Sequence, residues 1–444
     1  MGPILEHLLA CLFLVTALAG SAAAAEAVGP SLTLAQAEQN ALRHQPSIRQ
    51  AQGQTEAAAG RVEEARAGYL PQVSASASYQ RTTGNFAPRP GALPTNTMTT
   101  APVSWTPAYN YWSFGLTGSQ LIYDFNATAD RWRSAAAGRE AAVANARGIE
   151  ATALLNVRHA YFQARAQRDL ARVAEETVAN QQKHLEQIQA FVRAGMRSEI
   201  DLATTRTALA NARVQMVTAQ NAFISALATL NQTMGLPDNQ LFDLTDSELP
   251  AVPGEDGATR ALTDQALRAR PEIVVADEQR RAQELVVAAF RGNYGPALSA
   301  VGGLTDAGAA LDRLTPNWFV GLTASWAILQ GGLTHGQVRE ANGTLTTLAA
   351  QADTVRLQIG VEVEQARLAV RAAKSSIAGA EEALANAREQ LRLAEARYRT
   401  GQGSVIELSD AQVAQTTAAA QDVSARFNLA GARAQLLAAL GVVR

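Results

Sequence analysis

RAGMRSEIDL occupies residues 193–202, and RTGQGSVIEL occupies residues 399–408. Both read Arg-x-Gly-x-x-Ser followed by an acid and a Leu, and either alone would mark only a turn between two helices. Their spacing decides the fold. Gly195 and Gly401 lie 206 positions apart, and the same shift carries Gly235 onto Gly441, Val157 onto Val363, Leu230 onto Leu436 and Trp112 onto Trp318. It also lays GLTGS (115–119) on GLTAS (321–325). Upstream, Pro46, Tyr69 and Pro71 fall on Pro271, Tyr294 and Pro296 with a shift of 225, so the first copy holds nineteen extra residues between Pro71 and Trp112. That interval is rich in Pro, Thr and Asn, and insertions of this kind belong in exposed loops. The chain is a duplication.

The 444 residues carry a net charge of −2 and only 5% aromatics, which excludes a protein built to coat nucleic acid or an anionic membrane surface. Residues 8–25, LLACLFLVTALAGSAAAA, read as the apolar part of a secretory signal cut near Ala25, although Met1–His7 offers no Lys or Arg. Cys11, the one cysteine, lies inside it; LLAC has too short a lead and an acid, Glu6, in it, so lipidation is not expected. No other apolar run reaches the roughly 18–20 residues of a spanning helix.

Proline avoids 108–236 and 317–444, where long helices can therefore run. Apolar or Ala positions recur there every seven residues: Val157, Ala164, Ala171, Val178, Leu185 and Val192 in the first copy; Val363, Val370, Ile377, Leu384, Leu391 and Tyr398 in the second. Leu202, Leu209, Met216, Phe223 and Leu230 continue the series after the first turn. This period predicts antiparallel coiled-coil hairpins with tips at about 194–199 and 400–405. Glycine closes each outgoing helix and Ser198 or Ser404 caps the returning one.

At the other end the period becomes two. Strands are expected at about 72–82, 112–123, 297–304 and 317–327, with apolar residues on one face and Ser, Thr or Gly on the other. Soluble antiparallel sheets alternate in the same way. Trp105, Trp112, Trp132, Trp318 and Trp326 all lie in or beside these strands, which favours membrane-interface aromatics of a spanning barrel. Four strands cannot close a barrel, and a lipid-exposed edge is not tolerated, so several chains must share one.

This plan resembles the TolC family of outer-membrane efflux and secretion channels. The resemblance runs from SLTLAQAEQNAL (31–42) to Gly441 and is most specific in GYLPQVSASASY (68–79), GLTGSQLIYDF (115–125) and the two tip motifs. It implies a mainly α chain with a small β part. The duplicated hairpins and four strands per chain assemble as a homotrimer, which forms one twelve-stranded barrel in outer-membrane lipid and an α-helical periplasmic tunnel. It implies residues 26–236 as the first repeat, 260–444 as the second, and an acidic linker at 237–259 around the waist. A periplasmic adaptor and an inner-membrane pump or ABC transporter would feed this passive duct in drug efflux, metal efflux or type I secretion.

By the same resemblance Glu407 and Asp410, with Asp201 and Tyr398, form a pore constriction. The two α-helical acids at i and i+3 share a face; without the resemblance, acids at a helix start are explained by the helix dipole alone, and the two roles can coexist. A basic residue that some members of the family carry two after the second tip glycine is Gly403 here, leaving Arg197 of the other copy as the nearest candidate. Arg193, Gly195, Arg197, Ser198, Arg399, Gly401, Gly403 and Ser404 are the candidate adaptor-docking residues. His44, His159, His184 and His335 stand far apart without metal-ligand spacing, so no metal, cofactor or catalytic site is read. A periplasmic coiled-coil adaptor or scaffold is the alternative reading.

Overall fold

The computed structural model describes residues 29–83, 108–238, 240–246 and 248–442. The secretory segment and Trp105 lie outside them. The first repeat comprises β1 (Ser31–Leu32), α1 (Leu34–His44), α2 (Pro46–Ala67), β2 (Gln72–Thr83), β3 (Ala108–Tyr123), α3 (Ala127–Arg193) and α4 (Glu199–Met234). After β4 (Asp243–Leu244), the second comprises α5 (Thr259–Ala269), α6 (Pro271–Gly292), β5 (Ala297–Gly308), β6 (Thr315–Ser325), α7 (Leu333–Arg399) and α8 (Val405–Ala439).

Helices α3 and α7 each run 67 residues, about 100 Å at 1.5 Å per residue. They pack on α4 and α8 respectively, and α3 also receives α8 and α6, so the two hairpins lie side by side. The seven-residue series is the seam. Val157, Ala164, Ala171 and Leu185 are buried in α3, as are Val363, Val370, Leu384 and Tyr398 in α7, with Ile359, Ala366, Ala373, Ala387 and Ala394 at the intervening positions. Many seam residues are alanine, which brings helix axes close at little helical cost.

The duplication extends to the backbone. Phe125 and Asn126 turn from β3 into α3 with φ of 54° and 64°, and Gly331 and Gly332, 206 residues on, make the same turn from β6 into α7 at 58° and 87°. Asp124 steadies the strained first copy by accepting from the Thr128 N–H at 2.8 Å.

The four long strands form one antiparallel sheet in the order β2-β3-β5-β6. Strands β3 and β5 outrun the expected bounds: β3 starts at Ala108 and β5 continues through Thr305–Gly308. Asp306 and the glycines have poor strand propensity, but the long β3 supplies ladder partners, Trp112 opposite Gly308 among them. β6 stops at Ser325, so Trp326 lies beyond the sheet. The short parallel pair β1–β4 joins the segment before α1 to the linker at the hairpins' waist. Among the described residues no helix is long and apolar enough to cross a membrane.

Candidate functional site at the hairpin tips

Both tips are built alike. Gly195 (φ 71°) and Gly401 (φ 81°) end the outgoing helices. Ser198 accepts from the Ile200 N–H at 3.2 Å, and Ser404 accepts from the Glu407 N–H at 3.1 Å. Arg193 and Arg399 are exposed, each laid back on the carbonyl four residues earlier, Gln189 and Glu395, at 3.3 Å. Gly195, Ser198, Gly401 and Ser404 are exposed beside them.

Arg197 and Gly403, expected on that exposed surface, are placed differently. The Arg197 side chain crosses from the first tip to the second. Its Nη2 donates to the Tyr398 carbonyl at 3.0 Å and stands 3.5 Å from the Gly403 carbonyl. The guanidinium lies 4.3 Å from the Tyr398 ring centroid. Gly403 is buried under this clasp, and a Cβ there would come within 3.0 Å of the Tyr398 nitrogen. A planar cation with several fixed donors suits two carbonyls and a ring face at once.

The constriction candidates fall into two settings. Tyr398 is buried with Ile188, Ala394, Leu408 and Ala411. His184 meets its ring edge-on at 5.7 Å. The Tyr398 hydroxyl is buried without a hydrogen-bond partner, and burial raises its pKa. Glu407 and Asp201 are half-buried in the first turns of α8 and α4, and Asp410 is exposed. Glu407 is 3.4 Å from Arg397, an exposed pair of small energetic weight. The acids therefore sit at solvent-facing helix starts, not in the hydrophobic seam.

Sequence reasoning missed the polar layer above Tyr398. A cavity of about 270 Å³ separates α3 from α7 and α8, lined by His184, Gln181, Tyr398, Glu395, Gln412 and Thr416 among others. Gln181 donates to Gln412 at 2.8 Å across it. Gln181 and Gln412 are remote in sequence and only the pairing of the hairpins makes them neighbours. His184 shows no metal-ligand spacing in the sequence, and its place beside Tyr398 likewise depends on that pairing.

The aromatics divide by position. Trp112 packs on Tyr79 at 4.5 Å within the sheet, and Trp318 stands on the apolar face in the row of Ala75, Leu116 and Leu304. Trp326 donates its indole N–H to the Tyr294 carbonyl at 2.9 Å. Trp132 lies in the second turn of α3, edge-on to Tyr69 at 6.5 Å. The last two therefore mark the junction of sheet and helices.

Two stretches, 37–236 and 262–442, match the family of outer membrane efflux proteins, and they coincide with the two hairpin-bearing halves. The chain belongs to this family. The pyoverdine export outer membrane protein OpmQ of Pseudomonas aeruginosa is 24% identical over 334 residues, covering 74% of this chain and 69% of that one. The CmeC outer membrane channel of Campylobacter jejuni shares the fold with a TM-score of 0.79 at 19% identity, over 92% of this chain and 85% of that one. A membrane protein from Pseudomonas aeruginosa reaches 0.80 at 18% identity over 92% of each chain. The protein is thus an outer-membrane exit duct of efflux, a passive channel with a large periplasmic part and not an enzyme. Channels of this family are homotrimers that work with adaptors and inner-membrane pumps. The adaptor or scaffold alternative is set aside.

Proposed function

We propose that three copies of this chain join edge to edge, closing their four-stranded sheets into one twelve-stranded barrel above a tunnel of hairpins. The observation that carries this is the pair of open edges: β2 and β6 end the sheet without strand partners among the described residues. Roughly eight strands are the least that close a barrel, and lipid does not tolerate unpaired backbone. The hairpins support the same reading. Beside the buried seam runs a second set of apolar residues at seven-residue spacing, Val217 and Ile224, Val361 and Leu368, Ile406 and Val413, all exposed in the single chain. Such stripes suit neighbouring copies.

In this assembly Glu407 and Asp410 stack as two rings of acids at the periplasmic mouth, with Asp201 beside them and Tyr398 backing the wall. Arg193, Gly195, Ser198, Arg399, Gly401 and Ser404 offer the tips to a periplasmic adaptor, and an inner-membrane pump or ABC transporter delivers cargo, in efflux or type I secretion. The Arg197 clasp holds the two hairpins of one subunit together at this end.

The test is the mass and conductance of detergent-extracted protein. Light scattering should give three times the mature chain's mass. In planar bilayers the Glu407→Ala, Asp410→Ala double variant should conduct several-fold more than the parent and lose cation preference. A monomer released with the soluble periplasm would overturn the proposal.

A further inference from the structure

The sheet has two faces of different chemistry. Val73, Phe114, Leu116, Leu304, Val320 and Leu322 share one, while Ser74, Ser76, Thr117, Gly303, Thr305 and Thr323 share the other. The first suits lipid and the second an aqueous lumen. Phe319 breaks the pattern. It belongs to the second face, between Trp318 and Val320, which point to lipid.

Its ladder partner is Gly303. A Cβ on that glycine would lie 2.6 Å from the Phe319 Cε1 and 3.0 Å from its Cζ. The ring is therefore laid against bare glycine backbone, a pairing that aromatics make with strand glycines. The remainder is open, with 51% of the residue exposed. Across the edge in the proposed trimer lies β2, whose same face carries Gln72, Ser74, Ser76, Ser78 and Gln80, with no charge and no ring.

We propose that Phe319 is a specificity-determining residue of the barrel lumen: three rings, one per subunit, form an aromatic collar that binds planar aromatic solutes, cations foremost, as they pass. This rests on the trimeric barrel above. The surrounding rows, Ser74–Thr117–Gly303 and Ser76–Gly115–Thr305–Asn317, hold no charge and no other ring. Phe319 is thus the one surface in these rows that attracts a π-system or a cation by its ring face.

Equilibrium dialysis of ethidium, a planar aromatic cation, against the detergent-extracted protein tests the collar, with light scattering on the same samples. The parent and Phe319→Tyr should bind alike. Phe319→Ser should bind about tenfold more weakly, the scale of one lost stacking contact. Phe319→Leu, which keeps an apolar side chain and sheet packing but no ring, should lose binding to the same extent. Trimeric Ser and Leu variants that bind as tightly as the parent would overturn the collar. A parent that is not trimeric would instead overturn the assembly beneath it.

Discussion

Tyr398 gathers the chemistry of the tips, with Arg197 over its ring and His184 at its edge. Arg197 belongs to the first copy, and only the folded tips show that its side chain reaches the Tyr398 and Gly403 carbonyls of the second. His184 has a consequence for pH. It is buried, and burial holds its imidazole below the ordinary value of 6.5. The charged groups facing it from α3 and α7 are Lys183, Glu395 and Arg399, with Arg197 across the Tyr398 ring, while α8 brings the neutral Gln412 and Thr416. The unfolded chain therefore binds this proton at a higher pH than the folded chain does. Stability from this site is complete above about 6.5 and falls as the pH drops below it, at most by about 1.4 kcal/mol per unit. His159, also held low by burial, adds to the same slope. Thermal midpoints measured from pH 7.5 to 5 should fall for the parent and fall less for His184→Phe. An unchanged slope would remove His184 from the account.

At the scale of elements, the duplication makes a paired comparison possible. Gly195 and Gly235 both end helices with φ near 70°, but their surroundings differ. A Cβ at Gly195 meets nothing within 4 Å, whereas one at Gly235 would meet the His44 carbonyl carbon and oxygen at 2.7 Å. Gly441 repeats this against Ala269 at 3.0 Å, the equivalent place in the second copy. Gly195→Ala should cost only the left-handed backbone term, about 1–2 kcal/mol. Gly235→Ala should cost about 2 kcal/mol more, because backbone must shift as well. Thermal unfolding of the two variants checks this, and equal losses would show that His44 yields freely. These elements were legible in the sequence because glycine, proline and the seven-residue period repeat at fixed shifts. The site was legible only in part. Glu407, Asp410 and the capping serines are local features of a helix start, so a single stretch reveals them. The burial of Gly403, the reach of Arg197, and the Gln181–Gln412 and Phe319–Gly303 pairs depend on which elements lie side by side. No local pattern encodes that. The second apolar stripe on α4, α7 and α8 was hidden differently, since its residues are too sparse to stand out among alanines.

For the whole molecule, the decisive segment is the linker between the repeats, whose acids find bases on both hairpins. Asp243 pairs with Arg168 of α3, and Glu248 approaches Arg426 of α8 at 3.8 Å. Glu255 is 4% exposed and meets Arg433 of α8 at 3.1 Å and Lys374 of α7 at 2.8 Å, while Asp256 meets Lys374 at 2.8 Å. Burial opposes the Glu255 charge, but Arg433, Lys374 and the Val252 N–H outweigh it and hold the carboxyl below its ordinary value of 4.5. The stability it contributes is therefore complete above about pH 4.5 and is lost as the pH falls through the lower, folded value. Glu255→Gln keeps the shape but leaves Arg433, itself largely buried, without its counter-charge. The loss at pH 7 should be about 3 kcal/mol, the lower end for breaking a buried pair. Because the strap spans α7, α8 and the linker, the loss should appear locally first, as protease cleavage between Pro250 and Gly257 at temperatures where the parent resists. Parent and variant should converge as the pH is lowered well below 4.5, since the parent's carboxyl is then neutral too. A variant as resistant as the parent at pH 7 would mean that β1–β4 pairing and the apolar contacts of Leu249 and Val252 hold the waist without the charge.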